Sequence, residues 1–232
     1  MRLRVKFNKV NYLKYIGHLD LMRLFQRSHK LGQVPVKYTK GFNPTPRFAI
    51  ANPLSLGIEG EEEYMDIELE EKIDRATFKE KMNKILPPDV KILESHYIDN
   101  KDSIAALISY GLYEISFENI RGLDYESMEK LINDWMDQEE ILITRLRKRK
   151  KRRIEVEENI RSLIKEMKLK SLGEKISLEA ILKIGEGGNL RPFDVMVAFL
   201  RDNEILEVDK DSIGYKRKEL YIDRAGNLEK PF

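Results

Sequence analysis

The sequence contains no cysteine among its 232 residues. Disulfide bonds, a thiol nucleophile and zinc or iron–sulfur centres held by cysteine are therefore excluded. Histidine is also scarce, with three residues in the chain. No Ser-His-Asp order, paired-carboxylate signature or HExxH motif occurs, and these are signatures of common hydrolases. We therefore predict no cofactor and no metal site, and these absences favour a non-catalytic protein over an enzyme.

Long hydrophobic runs are absent as well. No stretch reaches the roughly 18 consecutive apolar residues that a transmembrane helix needs. The first residues, MRLRVKFNKV, carry charge from the second position onward. We expect no membrane span, no signal peptide and a cytoplasmic location. Hydrophobic residues make up 41% of the chain and charged residues 35%, a composition that predicts a globular protein with an apolar core.

The charges nearly balance, with a net value of +2, but they are segregated along the chain. Residues 145–153, RLRKRKKRR, hold eight cations in nine positions, whereas residues 59–71 are strongly acidic. Segregation of this kind lets a chain attract phosphate groups locally without a large overall positive charge.

Hydrophobic periodicity predicts the elements of the first half of the chain. They are a strand at 2–7, a helix at 18–31, an extended edge segment at 34–38, strands at 47–51 and 62–69, a helix capped by Asp74, and a strand at 89–97. The edge segment aside, their order is β-α-β-β-α-β.

The second half predicts the same order again. Its elements are a strand at 112–118, a helix capped by Asp124, strands at 141–146 and 176–184, a helix opened by Pro192, and a last strand within 205–222. We predict an α+β protein with two ferredoxin-like (βαββαβ) units in tandem. Residues 1–100 would form the first domain and residues 101–232 the second, with a basic insertion at 147–173.

The densest candidate site is the loop at residues 38–47, YTKGFNPTPR. Gly41 permits positive φ, and Pro44 and Pro46 restrict the backbone, so the loop should be stiff. Cations and aromatic rings are interleaved around it: Lys37, Tyr38, Lys40, Phe42 and Arg47. Cations with stacking rings are what a single-stranded nucleic acid requires. Turn chemistry with core aromatics is the alternative interpretation.

The basic run at 147–153 is a second candidate. Alternation along a strand would place four of its cations on one face: Arg147, Arg149, Lys151 and Arg153. Clustered Lys and Arg gain binding energy by releasing counterions from a polyanion, so the run could bind RNA phosphates. The alternative is a solvated hairpin arm.

The glycine loop at 185–191, GEGGNLR, is a third candidate. Its backbone N–H groups at Gly187 and Gly188, with the cation of Arg191, could hold an RNA phosphate before a helix. It has neither the GxxxxGK[ST] nor the GxGxxG spacing, so nucleotide hydrolysis and dinucleotide binding are not predicted. A plain strand-to-helix turn is the alternative.

His18 is the one candidate for catalysis. It lies at the start of the first predicted helix, near Asp20, and could act as a general base if RNA were cleaved. A structural role at the end of a helix is the alternative.

Three motifs, GHLDLMR at 17–23, GFNPTPRF at 41–48 and LGIEGEEEYMDIEL at 56–69, resemble the radical SAM-linked protein family, a bacterial domain of unknown function. The resemblance is strongest in the first 100 residues and extends to about residue 200 through GGNLRPFDV. Members of that family are fused to, or encoded beside, radical SAM proteins. The resemblance implies a radical SAM partner and an accessory, substrate-presenting role, and it assigns no catalytic residue.

A looser, fold-level likeness is to the RAMP superfamily, which includes endoribonucleases that process CRISPR repeats. Those proteins also pair two ferredoxin-like domains and carry a glycine-rich loop. Fold alone does not decide function.

The leading hypothesis is a non-catalytic RNA-binding protein that presents an RNA such as tRNA or rRNA to a radical SAM partner for modification. The first alternative is a metal-independent endoribonuclease of the RAMP kind, with His18 as base and Lys40 or Arg47 stabilising the transition state. The second alternative is a protein-interaction domain that does not bind RNA.

Overall fold

The computed structural model describes residues 1–99, 102–149 and 152–232. The helices and strands within these ranges are β1 (Arg2–Lys9), α1 (His18–Leu31), β2 (Phe48–Ile50), β3 (Glu59–Glu68), α2 (Arg75–Ile85), β4 (Val90–Ile98), α3 (Ile104–Leu107), β5 (Ile108–Glu118), α4 (Tyr125–Met136), β6 (Leu142–Arg149), β7 (Arg152–Asn159), β8 (Ile164–Leu172), β9 (Lys175–Lys183), α5 (Pro192–Asp202), β10 (Gly214–Arg224) and β11 (Asn227–Glu229). A short 3₁₀ helix, Asn11–Tyr15, follows β1. This mixture of helices and mostly antiparallel strands confirms the predicted α+β class. No helix in the described ranges is both long and apolar enough to cross a membrane.

Backbone contacts divide the chain into two compact units. Residues 1–110 together with 216–232 form unit 1, and residues 111–215 form unit 2. Unit 1 therefore contains most of β10 and all of β11, whereas the sequence analysis grouped every residue after 100 in one domain. The chain leaves unit 1 after Tyr110, within β5, and returns to it at Lys216, within β10.

β1 is a central strand of unit 1. It pairs antiparallel with β3 on one side and with β4 on the other. β2 pairs antiparallel with the later residues of β3. β10 pairs parallel with the first two residues of β3, through Lys216 and Arg217. The strand order β4-β1-β3-β2 thus brings the predicted elements of the first half into one sheet.

The hydrophobic core of unit 1 forms between this sheet and its helices. Alternation along β1 turns Leu3, Val5 and Phe7 to the same face, where all three are fully buried. The ring of Phe7 packs edge-on against Phe25 of α1, with 5.0 Å between centroids. Phe78 of α2 belongs to the same buried cluster. The apolar face of strand β1 and the apolar faces of helices α1 and α2 therefore pack into one buried layer.

The opposite face of the unit 1 sheet is polar but largely covered. Arg4 of β1 makes a two-armed ion pair with Asp66 of β3, at 2.8 and 3.1 Å, and both side chains are buried. Residues 227–232 pass over this face, and the ring of Phe232 lies 5.4 Å from that of Tyr64. This cover explains how alternate β1 positions carry cations and are still shielded from water.

A second ion pair is buried three residues earlier on β3, at Glu63. Arg217 of β10 is 1% exposed and meets the Glu63 carboxylate at 2.8 Å through Nε and at 2.5 Å through Nη2. The guanidinium also donates to the backbone carbonyl of Asn52. Burial lowers the pKa of nearby Lys9, and the negative charge of Glu63 opposes that shift. Two cations and one carboxylate are thus buried together, and the carboxylate balances their charge only in part.

In unit 2, β9 lies between β5 and β8, and β8 and β9 form an antiparallel pair. α4 and α5 supply the core beside them. Trp135 of α4 is almost fully buried, its indole Nε1 donates to Asp202 at 3.0 Å, and its ring meets Phe199 edge-on at 5.3 Å. The one tryptophan of the chain therefore joins the two helices of this unit.

The strands after α4 differ from the sequence prediction. Residues 141–146 were expected to be a middle strand of the unit 2 sheet, but β6 pairs with β7 in a separate two-stranded ladder. The strand that pairs with β9 is β8, which lies inside the stretch 147–173 expected to be an insertion. The second half of the chain is therefore richer in strands than a simple repeat of the first half.

The predicted helix starts are confirmed. The Asp74 carboxylate accepts a hydrogen bond from the backbone N–H of Thr77 at 2.9 Å, and that of Asp124 accepts one from Ser127 at 2.8 Å. Pro192 occupies the first turn of α5. The two aspartates accept hydrogen bonds from backbone N–H groups that have no partner within the helix. Pro192 has no backbone N–H, so it leaves no such group unsatisfied.

Candidate nucleic-acid interface

Residues 37–47, here called the aromatic hairpin, extend from the edge of unit 1 beside β3. Its backbone is held by hydrogen bonds from Lys37 N to Glu68 O at 2.8 Å, from Thr39 N to Thr45 O at 2.9 Å and from Arg47 N to Lys37 O at 2.7 Å. Gly41 has a φ of 138°, a region that side-chain-bearing residues rarely adopt. Pro44 and Pro46 restrict the returning arm. The loop is thus a two-armed projection of defined shape.

The tip of the aromatic hairpin carries a ring that nothing in unit 1 covers. Phe42 is 99% exposed, and Lys37, Tyr38 and Lys40 are also exposed. Arg47 is partly engaged, because its Nη1 donates to the Glu68 carboxylate at 3.2 Å. The structure therefore brings together, on one hairpin, all five residues that the sequence analysis selected in this region.

The basic run lies on the β6–β7 ladder of unit 2. Arg147 and Arg149 are residues of β6, paired with Ile154 and Arg152 of β7. Arg153 of β7 is exposed. Lys151, the fourth predicted cation, lies outside the described residues. In this register Arg153 pairs with Lys148, a neighbour of Arg147 and Arg149 along β6, so its position is on the opposite face of the ladder. The prediction that alternation gathers these cations on one face is therefore wrong for Arg153.

The glycine loop has the backbone of a tight turn. Gly187 and Gly188 have φ values of 88° and 155°, both in the region that favours glycine. The Asp194 carboxylate lies in the first turn of the following helix, α5, where an anion is stabilised by the helix dipole. Arg191 donates to that carboxylate at 2.6 and 3.0 Å, and Asp194 raises the pKa of Arg191. The chain's own carboxylate thus stands where the sequence analysis expected a phosphate to be held.

Arg145 connects the glycine loop with the base of the basic run. Its guanidinium donates to Asp194 at 2.7 Å and to Glu158 of β7 at 3.2 Å. A cleft of about 520 Å³ is lined by Thr144, Arg145, Leu146, Asn189 and Arg191. Of the predicted site residues, Arg191 of the glycine loop lines this cleft, and Arg145 and Leu146 of β6 directly precede the basic run.

Arg145 and Asp194 were not among the predicted site residues. The sequence did offer one indication of the pair between Arg191 and Asp194. The two residues are three positions apart, a spacing at which side chains meet on a helix. Nothing in the sequence indicated the contact of Arg145 with Asp194, which joins residues 49 positions apart.

His18 does not contact the other predicted residues within the described part of the chain. It lines a small, largely enclosed cavity of about 10 Å³ with Leu21, Leu54 and Glu63, among others. Arg47 and Lys40 belong to the aromatic hairpin, which joins β3 at its last residue, Glu68. The histidine and the proposed charge-stabilising cations therefore occupy different places in unit 1.

Comparison with known proteins gives one family. Residues 2–192 match the model of a family described as uncharacterized proteins conserved in bacteria, DUF2344. No curated protein matches the chain. The match covers more than half of the sequence and includes the aromatic hairpin, the basic run and the glycine loop.

Proposed function

The chain belongs to this bacterial family, DUF2344, and we propose that it is a non-catalytic RNA-binding protein that presents RNA to a radical SAM partner for modification. The radical SAM part of the proposal rests on the three sequence motifs that resemble the radical SAM-linked family. The RNA part rests on the surfaces of the two units.

The exposed ring of Phe42 is the observation that carries the proposal. Leaving a phenylalanine side chain in water forgoes about 1.5–3 kcal/mol of burial free energy. A lone exposed apolar residue is common, but this one stands at the tip of a stiffened hairpin that also carries the exposed Lys37 and Lys40. At the base of the hairpin, a depression of about 270 Å³ is lined by Thr39 and Arg47 together with Arg2, Asp66 and Glu68, among others. The hairpin thus carries a ring for a base and cations for phosphates.

The cleft of unit 2 supports the same proposal less directly. Arg145 and Arg191 face it, but Asp194 and Glu158 already neutralise part of their charge. Guanidinium groups have five donors, so both arginines can bind a phosphate while keeping these partners. We propose that this cleft and the basic run of β6 and β7 contact the RNA backbone, which adds affinity but no sequence preference.

We also propose that each unit is a variant of the ferredoxin-like arrangement. The order β4-β1-β3-β2 in unit 1, with α1 and α2 packed on one face, supports this for the first half. In unit 2 the β6–β7 ladder would then be an addition to the repeat, with β8 in the place of the expected middle strand.

The endoribonuclease alternative has less support. It requires His18 to reach an RNA 2′-hydroxyl next to a cation, whereas His18 lines an enclosed cavity away from Lys40 and Arg47. The protein-interaction alternative would use the same exposed surfaces. A direct measurement of RNA binding distinguishes it from the proposal.

We expect Phe42→Ala to weaken binding of single-stranded RNA by about 5- to 150-fold, because stacking of one base on one aromatic ring contributes about 1–3 kcal/mol. The fold should be unaffected, since the ring is 99% exposed. The measurement is fluorescence anisotropy of a labelled oligonucleotide of mixed sequence titrated with the full chain at fixed salt.

Two further variants make this result specific. Phe42→Trp should keep affinity within about threefold, because it retains a stacking ring. Leu206→Ala removes another exposed apolar side chain, 74% accessible and outside the proposed surfaces, and should leave RNA binding unchanged. Unaltered binding by Phe42→Ala would remove the hairpin from the site, and a wild-type chain that binds no RNA would refute the proposed function.

A further inference from the structure

The 3₁₀ helix Asn11–Tyr15 carries two exposed tyrosines for which the proposed function has so far no role. Tyr12 is 85% exposed and Tyr15 is 64% exposed. Side chains three residues apart are eclipsed in a 3₁₀ helix, so both rings lie on the same side of it. Both line a groove of about 390 Å³, whose other walls are Asn11, Lys14, Glu59 and Asp89. The groove therefore offers two aromatic surfaces next to charged groups of both signs.

Backbone contacts fix this short helix on unit 1. The backbone N–H of Val10 donates to the carbonyl of Asp89 at 3.0 Å, and that of Gly57 donates to the carbonyl of Lys14 at 3.0 Å. The side-chain amide of Asn11 donates to the Asp89 carboxylate at 3.0 Å. The tyrosines are thus carried by a segment tied to two neighbouring loops, which reduces the entropy lost when a ligand is bound.

The charged groups of the groove are placed for different parts of a ligand. Lys14 Nζ lies 5.3 Å from the centre of the Tyr15 ring and 3.6 Å from the Glu59 carboxylate. The cation lies over one face of the Tyr15 ring, so a base can stack on the other face while its phosphate meets the lysine. The carboxylates of Glu59 and Asp89 cannot favour phosphate, but they accept hydrogen bonds from a base amino group.

We propose that this groove binds an unpaired nucleotide of single-stranded RNA, stacked on Tyr12 and Tyr15, with preference for a base that carries an amino group over uracil. This inference rests on the proposed RNA-binding function and adds a second contact site to it. Uracil offers a carboxylate only its ring N3–H, whereas cytosine offers an exocyclic amino group with two N–H donors. Cytosine and uracil therefore form the most closely matched pair of probes.

The groove and the aromatic hairpin lie near opposite ends of one strand. Glu59 and Glu68 are the first and last residues of β3. Nine steps of about 3.3 Å separate them by roughly 30 Å. A strand of RNA long enough to span this length would engage both sites, and its affinity would gain from the linkage.

The test uses anisotropy titrations of the full chain with labelled cytidine-only and uridine-only oligonucleotides. Wild type is expected to bind the cytidine oligonucleotide several-fold more tightly. Tyr12→Ala/Tyr15→Ala should weaken binding of it by at least about tenfold, since two stacking surfaces are removed. Glu59→Gln should reduce the preference for cytidine while the affinity for uridine stays within about threefold. Tyr125→Ala removes an exposed tyrosine in unit 2 and is the matched control.

The outcomes separate this inference from the proposed function. If the double tyrosine variant binds like wild type while Phe42→Ala binds weakly, the groove is not an RNA site and the function stands. If wild type binds neither oligonucleotide, the function itself fails and the groove proposal fails with it. If RNA binding is unchanged and the tyrosine variant instead loses a protein partner, the groove is a protein-docking surface and the inference is wrong.

Discussion

Arg217→Met is expected to lower the free energy of unfolding by about 3 kcal/mol, because it leaves the buried carboxylate of Glu63 without its ion-pair partner. Arg217 and Glu63 are both 1% exposed and are joined by two hydrogen bonds. Lys9 lies close enough to compensate part of the charge, which keeps the expected loss at the lower end of the range for broken buried pairs. Urea unfolding followed by far-ultraviolet circular dichroism measures the loss.

Arg224→Met on the same strand is the control. Arg224 also pairs with a glutamate, Glu229, but both side chains are more than half exposed, so the expected loss is at most about 1 kcal/mol. The double variant Arg217→Met/Glu63→Gln no longer contains an isolated buried charge. Its loss of unfolding free energy should therefore be smaller than the sum of the losses of the two single variants, by at least about 1 kcal/mol. Equal losses for Arg217→Met and Arg224→Met would contradict the buried pair.

The second large effect is a loss of stability in acid that depends on His29. This ring of α1 is 2% exposed, stacks on Phe25, and meets Phe48 edge-on at 5.3 Å. Neither ring nitrogen has a hydrogen-bond partner among the described residues. Burial lowers the pKa of His29 to about 4, against about 6.5 for an unfolded chain.

The sign follows from these two pKa values. Between about pH 6.5 and pH 4 the unfolded state binds more protons at this residue than the folded state, so stability falls as the pH falls. The difference of about 2.5 pKa units corresponds to about 3 kcal/mol between pH 7 and pH 4. The variant His29→Leu has no titrating group at this position. Between pH 7 and pH 4, wild type should therefore lose about 3 kcal/mol of unfolding free energy relative to the variant.

Urea unfolding at a series of pH values measures this difference. Phe48→Leu disturbs the same aromatic cluster without removing a titrating group, and its difference from wild type should stay constant with pH. A pH-independent difference for His29→Leu would show that the imidazole is not held neutral in the folded protein.

Local rules predicted much of the fold. The caps Asp74, Asp124 and Pro192 act through backbone groups within a few residues, so residue type and position suffice to find them. The helical spacing of Leu21 and Phe25 likewise located α1. These features depend on neighbours in sequence, which is why the α+β class and the order of the elements from β1 to β4 could be predicted.

Strand partners could not be predicted in the same way. Alternation identified residues 141–146 as extended but carries no information about which strand lies beside them. β8 was missed because its pairing with β9 shifts register between Ile164 and Glu166 and again between Leu169 and Ser171. Those irregularities interrupt the period of two on which a strand is recognised from sequence.

The candidate sites also differ in whether they depend on neighbours in sequence or on long-range packing. The aromatic hairpin is a local structure, so its residues lie together because they are close in sequence, and their role in binding stays a prediction. The contact of Arg145 with Asp194 and the groove beside Tyr12 depend on long-range packing. A five-residue 3₁₀ helix is also too short to give a periodic signal, so its two tyrosines had no pattern to mark them.

Ultraviolet crosslinking of bound single-stranded RNA to the full chain, followed by mass spectrometry of the crosslinked peptides, tests the central claim most directly. An RNA strand that stacks on the aromatic hairpin should crosslink to residues 37–47, with Phe42 or Tyr38 as the modified residue. RNA that binds but crosslinks only to peptides outside that hairpin, or a chain that binds no RNA, would contradict the account.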